Sequence, residues 1–238
     1  MYIEGKNPVL EALKSNASIN RIFVQANQKT QLGQIIALAK QNKVRLDFVD
    51  KKILDTKSQT NRHQGVICET TEFDYCDIYD IMQLAESKGE APFVVVLDGI
   101  EDPHNVGAII RTCECAGVHG IIISKYRACP VNETVIKTSA GATANMLVAR
   151  VTNINNAIEE LKAQGVWVYG LELGGQDIYK TNLSGPIALV VGSEGDGISS
   201  LTKQKCDEIV SLPMHGKINS LNASVACAIA TYEIRKQR

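Results

Sequence analysis

No apolar run in this sequence approaches the roughly 20 residues that cross a bilayer. The opening stretch MYIEGKNPVLEALK also lacks the basic-then-apolar layout of a secretory leader. These two absences predict a cytoplasmic protein. The seven cysteines are odd in number and include no Cys-x-x-Cys. Cys113 and Cys115 stand two apart on an expected helix and so face different ways. Free thiols in a reducing compartment are expected, rather than a disulfide framework or a zinc site. The four histidines, His63, His104, His119 and His215, show no metal-ligand spacing, so no metal is expected. Net charge is −1, which excludes a global basic footprint for nucleic acid. The charge is uneven, however: residues 1–74 carry 11 Lys/Arg against 8 Asp/Glu, and residues 75–238 carry 14 against 18. Internal repeats and low-complexity tracts are also missing.

What is present fits an ordinary globular chain. Hydrophobic residues make up 45% and charged residues 21%, and 238 residues suffice for one large or two small domains. Residues 1–74 alternate short helices and strands. NPVLEALKS predicts a helix with Asn7 as its cap and Pro8 in the first turn. RIFVQA, VRLDFVD and QGVICETT read as strands, and TQLGQIIALAKQN carries a helical apolar stripe at 32, 35, 36 and 39. Residues 75–90 are acidic and partly helical, and are read as a connector. Residues 91–238 hold four apolar runs without alternation: FVVVLDG, GIIIS, VWVYGLEL and IALVVGSE. Such runs fit strands buried on both faces of a parallel sheet. The helical patterns between them predict a three-layer α/β fold, with ligands outside the carboxyl ends of the strands.

Three segments carry the chemistry, and each joins a strand end, a Gly- or Pro-containing loop and a helix start. The first is LDGIEDPHNVGAIIRTCECAG, residues 97–117, where Asn105 stands at a candidate N-cap position and Arg111 lies in an otherwise apolar helix. A structural salt bridge is the alternative role for that arginine. The second is ALVVGSEGDGIS, residues 188–199. Its glycines run G-x-x-G-x-G, the reverse of the dinucleotide fingerprint, and Glu194 sits inside the turn. A carboxylate there would repel a phosphate, so the loop is expected to approach something adenosine-like without one. The third is SLPMHGKINSLNASVACAIATYEI, residues 211–234, with Ser220 and Asn222 at the start of a helix of small residues. Simple capping by Ser220 is the plain alternative. One Arg, one Glu, two Asn and one Ser suit holding a cofactor and orienting a hydroxyl, rather than acyl transfer or metal hydrolysis.

As a set, D-P-x-N-x-G-A-x-x-R, V-V-G-S-E-G-x-G and L-P-M-x-G-x-x-x-S-L-N-x-S-V-A resemble the three motifs of the SpoU (TrmH-like) RNA 2′-O-ribose methyltransferases. IEGKNPVLEAL and HQGVICE resemble the small substrate-binding domain, similar to ribosomal protein L30e, found in many members. The resemblance covers nearly the whole chain and is greatest to the RlmB-like branch, which methylates a guanosine of 23S rRNA. It implies a SPOUT-type α/β catalytic domain whose C-terminal segment threads a trefoil knot, a homodimer, and S-adenosylmethionine as cofactor. The domains would be 1–74 (L30e-like, RNA-binding), a linker 75–90, and 91–238 (methyltransferase). Gly192, Leu212 and Leu221, with Leu171 and Met214, would contact the cofactor. Asn105, Arg111, Glu194, Ser220 and Asn222 would form the polar active-site set. Lys6, Arg21 and Arg62 are candidates for RNA phosphate. A sulfonium is positive, which would make Glu194 tolerable in the turn. Arg111 would stabilise the developing alkoxide and grip a phosphate, with the proton leaving to phosphate or water, because arginine stays protonated. A nicotinamide-dependent oxidoreductase, a non-enzymatic RNA-binding protein and a tRNA or other rRNA methyltransferase are the rival readings.

Overall fold

The computed structural model describes residues 2–14, 19–58, 60, 62–70 and 73–238. The chain forms two compact units. The first runs to Asp74 and includes Pro130–Glu133; the second comprises Tyr75–Cys129 and Thr134–Arg238.

The first unit contains β1 (Tyr2–Glu4), α1 (Lys6–Lys14), β2 (Ile19–Gln25), α2 (Gly33–Gln41), β3 (Arg45–Val49), α3 (Lys51–Lys57) and β4 (Val66–Thr70). Its sheet order is β1-β4-β2-β3, with β2 parallel to β3 and antiparallel to β4. Strand alternation sorts the core. Ile22 and Val24 join Val9 and Leu13 of α1 and Ile35 of α2, whereas Phe23 joins Leu54 of α3 and Ile67. Helix α1 begins at Lys6, directly after Gly5, which has a left-handed φ of 94°. Asn7 is therefore inside the helix rather than at its cap. Helix α3 had no counterpart in the sequence reading.

The second unit contains α4 (Ile78–Ser87), β5 (Phe93–Asp98), α5 (Pro103–Cys115), β6 (Gly120–Ser124), α6 (Glu133–Thr138), β7 (Leu147–Val151), α7 (Ile154–Ala163), β8 (Trp167–Asp177), β9 (Ile187–Gly192), α8 (Ser200–Lys205), β10 (Glu208–Ser211) and α9 (Ala223–Gln237). All six strands pair in parallel, in the order β10-β8-β9-β5-β6-β7. The four apolar runs are β5, β6, β8 and β9. The short β7 and β10 are additions to them. Every residue of β9 is buried, as a strand covered on both faces requires. Val94, Val96, Ala188 and Val190 pack with Ile78 and Ile81 of α4 and Ile158 and Leu161 of α7. Val95 and Leu97 alternate to the other face, where α5 and α9 lie against each other. Residues 75–90, expected as a connector, thus supply α4 and two side chains of this core. Because the sheet is parallel, Asp98, Ser124, Gly192 and Ser211 all end at one edge. Among the described residues, no helix is long and apolar enough to cross a membrane.

Candidate active site

The three sequence segments meet at that edge. In the first, Asp102 caps α5: its side chain accepts from the His104 N–H at 2.9 Å, and Pro103 occupies the first turn. The cap is thus three residues earlier than Asn105, which instead lies in the first turn, only 6% exposed. Gly107 faces α6; a β-carbon on it would fall 2.7 Å from Thr138 Cβ and 3.0 Å from the Val135 carbonyl. Its smallness serves helix packing.

In the second, the chain leaving β9 doubles back. Ser193 and Gly197 exchange two backbone hydrogen bonds of 3.1 Å, and Gly197 has a φ of 66°. A β-carbon on Gly192 would overlap the Gly197 carbonyl, so glycine is obligatory where the loop folds over the strand end. Two carboxylates fix the loop from outside: Glu172 Oε2 accepts from the Ile198 N–H at 2.9 Å, and Asp98 Oδ2 accepts from the Ser199 N–H at 2.9 Å.

In the third, α9 begins at Ala223, and its cap is Asn222 rather than Ser220. Asn222 Oδ1 accepts from the N–H groups of Ser224 (3.0 Å) and Val225 (3.3 Å). The remaining half of this amide joins the segments. Asn222 Nδ2 donates to Asn105 Oδ1 at 2.9 Å and, in a short contact, to Glu194 Oε1. Asn105 Nδ2 donates to the same Glu194 oxygen at 3.1 Å. Glu194 is therefore held in the turn by two amide donors, and each amide is oriented by its partners.

Beside this triad is a cavity of about 340 Å³. Leu171, Leu173, Val191, Leu212, Met214 and Leu221 give it apolar walls, and Gly192 and Ser220 also line it. Its charged lining residues are Glu172, Glu194 and Asp196; among the described residues, no Lys, Arg or His lines it. All five positions expected at a cofactor line this cavity, and Glu172 and Asp196 are additions. The Glu172 contact follows from strand pairing, and nothing local in the sequence marks it. Three carboxylates without a cation would repel a phosphate, whereas apolar walls with carboxylates suit an aromatic, positively charged organic group. S-adenosylmethionine, with its sulfonium and no phosphate, fits that lining.

Arg111 is not part of the triad. Six residues beyond Asn105 on one helix place it about 9 Å along the axis and about 120° around it. It is exposed, and among the described residues its side chain forms no hydrogen bond or ion pair, so the salt-bridge alternative has no partner there. In the first unit, Arg21 is engaged on the sheet surface. Its Nε lies 2.5 Å from Glu69 and its Nη1 3.8 Å from Asp47, and hydrogen bonding to Glu69 raises its pKa. Those carboxylates compete with any phosphate. Lys6 and Arg62 form no such ion pair among the described residues. All seven cysteines are free thiols, and burial pushes Cys68 and Cys129 up to about 12. Among the described residues, no group of three or more His, Cys, Asp or Glu could hold a metal.

A parallel α/β sheet with an acidic, apolar-walled pocket at its carboxyl edge defines an enzyme domain built to hold a cationic organic group donor. The chain belongs to the SpoU rRNA methylase family, whose profile matches residues 92–232; residues 2–76 match the substrate-binding domain of RNA 2′-O ribose methyltransferases. It is an S-adenosylmethionine-dependent RNA methyltransferase of that family. It is 43% identical to YacO of Bacillus subtilis (strain 168), provisionally assigned as a TrmH family tRNA/rRNA methyltransferase, over 100% of this chain and 96% of that one. It is 39% identical to an uncharacterized tRNA/rRNA methyltransferase of Synechocystis, covering 98% of this chain and 62% of the relative. The AdoMet-bound rRNA methyltransferase of Sinorhizobium meliloti is 25% identical, with a TM-score of 0.59 over 99% of this chain and 86% of that one. The SpoU methyltransferase AviRb of Streptomyces viridochromogenes, at 21% identity, shares the fold with a TM-score of 0.63 over 100% and 90% of the two chains.

Proposed function

We propose that this enzyme methylates the ribose 2′-oxygen of one guanosine in 23S rRNA, as RlmB-like enzymes do. The observation that carries a 2′-O-methyltransferase reading is the Asn105–Glu194–Asn222 triad beside the acidic cavity. The choice of a 23S guanosine rests on the likeness of the three motifs to that branch. Bound S-adenosylmethionine supplies the methyl group. The chain's own residues do the rest. Leu171, Met214, Leu212, Leu221 and the backbone at Gly192 would hold the cofactor in the cavity they line. Glu194, kept in place by the two amides, would offset the positive charge of the bound cofactor. Ser220, on the cavity wall, orients the ribose hydroxyl. Arg111 stabilises charge developing on the ribose oxygen and binds an adjacent phosphate through its planar fork. In the first unit, Lys6 and Arg62 contact RNA phosphate, and Arg21 joins them only where RNA displaces its carboxylate partners.

The assembly is a homodimer through the catalytic unit. Val225, Ile229 and Tyr232 recur every three or four residues along α9 and are all exposed, an apolar stripe that a partner would cover. The trefoil knot belongs to the same reading. After β9 the chain crosses to the sheet edge as β10 and returns to place α9 against α5.

A ribose-methylation map of total RNA from a strain lacking the gene, beside its parent, tests the proposal. Loss of methylation at a single 23S guanosine is expected. Loss at a tRNA position instead would keep the chemistry and change the substrate; the relatives' names leave both open.

A further inference from the structure

Three consecutive exposed side chains, Lys125, Tyr126 and Arg127, follow β6. Tyr126 is 59% exposed, and of the exposed aromatic rings among the described residues it is the one flanked on both sides by basic residues. Among the described residues, the side chains of Lys125 and Arg127 form no ion pair or hydrogen bond. The turn is nonetheless firmly held. Lys125 N–H donates to the Val151 carbonyl at 2.8 Å, Tyr126 N–H to Ser124 Oγ at 3.1 Å, and Cys129 N–H to the Ile100 carbonyl at 3.0 Å. Arg127 has a φ of 50°, a left-handed conformation that residues bearing a β-carbon avoid. Backbone of this kind persists where neighbours over-determine it, and it gathers at functional sites.

The position gives the turn its meaning. Strand β6 neighbours β5, and β5 neighbours β9. At about 4.8 Å per strand, the turn lies on the order of 10 Å across the sheet from the end of β9 and its Glu194 loop. Its bond to Ile100 ties it to the loop that leads into Asn105. An exposed aromatic ring between two unengaged cations, on a held backbone, is a pattern that grips single-stranded nucleic acid: the ring stacks on a base and the cations meet flanking phosphates.

We propose that the Lys125–Arg127 turn is an RNA contact on the catalytic unit itself, in which Tyr126 stacks on an unpaired base flanking the target nucleotide and Lys125 and Arg127 bind phosphates beside it. This rests on the methyltransferase reading above. The test uses the full chain and unmethylated rRNA from the deletion strain, with filter binding across a salt series and methyl transfer from labelled S-adenosylmethionine. Tyr126→Ala should weaken RNA binding roughly ten-fold and raise KM, while Tyr126→Phe, which keeps the ring, should stay near wild type. Replacing both Lys125 and Arg127 by Ala should flatten the log–log salt slope by about 1.4, some 0.7 for each single-strand phosphate contact. Calorimetric affinity for S-adenosylmethionine should be unchanged in every variant. A Tyr126→Ala protein that binds and methylates RNA like wild type, or an unchanged slope in the double variant, overturns the proposal. Should wild type act on tRNA rather than rRNA, the same variants measured on tRNA decide the matter. Should wild type bind neither RNA, both readings fall together.

Discussion

Asn222 performs two tasks that a pair of substitutions can separate. Its Oδ1 caps α9 through Ser224 and Val225, and its Nδ2 donates to Asn105 and Glu194. Asn222→Ala removes both functions. Asn222→Asp keeps an equally good cap but replaces the donors with a second carboxylate against Glu194. Loss of the cap costs about 1 kcal/mol. Loss of two donors, one serving a charged acceptor, costs about 2 kcal/mol at the low end suited to exposed groups. Two carboxylates about 3 Å apart repel by about 1.4 kcal/mol at the dielectric of water, the appropriate limit here. Asn222→Ala and Asn222→Asp should therefore each lose about 3 kcal/mol, a fall of roughly 6–12 °C in melting temperature for a chain of this size. Scanning calorimetry measures the loss, and titration with S-adenosylmethionine shows whether the turn still forms the cofactor wall. If Asn222 acts only as a cap, Asn222→Asp will melt like wild type and Asn222→Ala will lose about 1 kcal/mol. That ordering would refute the triad as an organising contact.

Arg111→Ala should cut single-turnover methylation by about 10²–10³ without lowering the melting temperature, because no described partner is lost; Arg111→Lys should recover part of it. A stable variant with the wild-type rate would remove Arg111 from the mechanism. Gly192→Ala should abolish calorimetric binding of S-adenosylmethionine, since its β-carbon cannot coexist with the Gly197 carbonyl; binding within two-fold of wild type would contradict this. Ile229→Glu should convert a dimer to a monomer in light scattering, and a wild-type monomer at micromolar concentration would dismiss the dimer. Burial lowers the pKa of His119 against the opposing pull of Glu90, so its stabilising contribution is present above the unfolded value of about 6.5 and is lost as pH falls through the folded value. His119→Gln should flatten the melting-temperature profile between about pH 7 and 5, and parallel profiles would exonerate His119.

Much of the second unit could be read from the chain itself. FVVVLDG, GIIIS and IALVVGSE announce buried parallel strands because a strand covered on both faces has no polar side to alternate with. The strands that were missed are short: EIVS has four residues, and LVARV carries a charge in an apolar context, so neither has a distinctive period. Helix α4 was hidden by its acidic exposed face, although Ile78, Ile81 and Ala85 mark its buried stripe.

Asn105, Glu194 and Asn222 were legible as candidates, since each is a polar side chain at a strand end or helix start. The carboxylate inside the glycine turn was legible too, and in the fold Glu194 lines the cavity with Glu172 and Asp196. Which residue caps each helix was left to the fold. Asp102 displaces Asn105, and Asn222 displaces Ser220, because a cap is defined by where the backbone turns rather than by residue type alone. That displacement frees Asn105 for Glu194. Only the tertiary structure could set β9 beside β5 and lay α9 on α5, bringing together amides 117 positions apart. Only it could leave Arg111 without a described partner, bind Arg21 to Glu69 and place Glu172 against Ile198. The reason is physical: local sequence sets the period and polarity of each element, whereas contacts between distant side chains depend on strand order, which is settled by burying all the apolar faces at once.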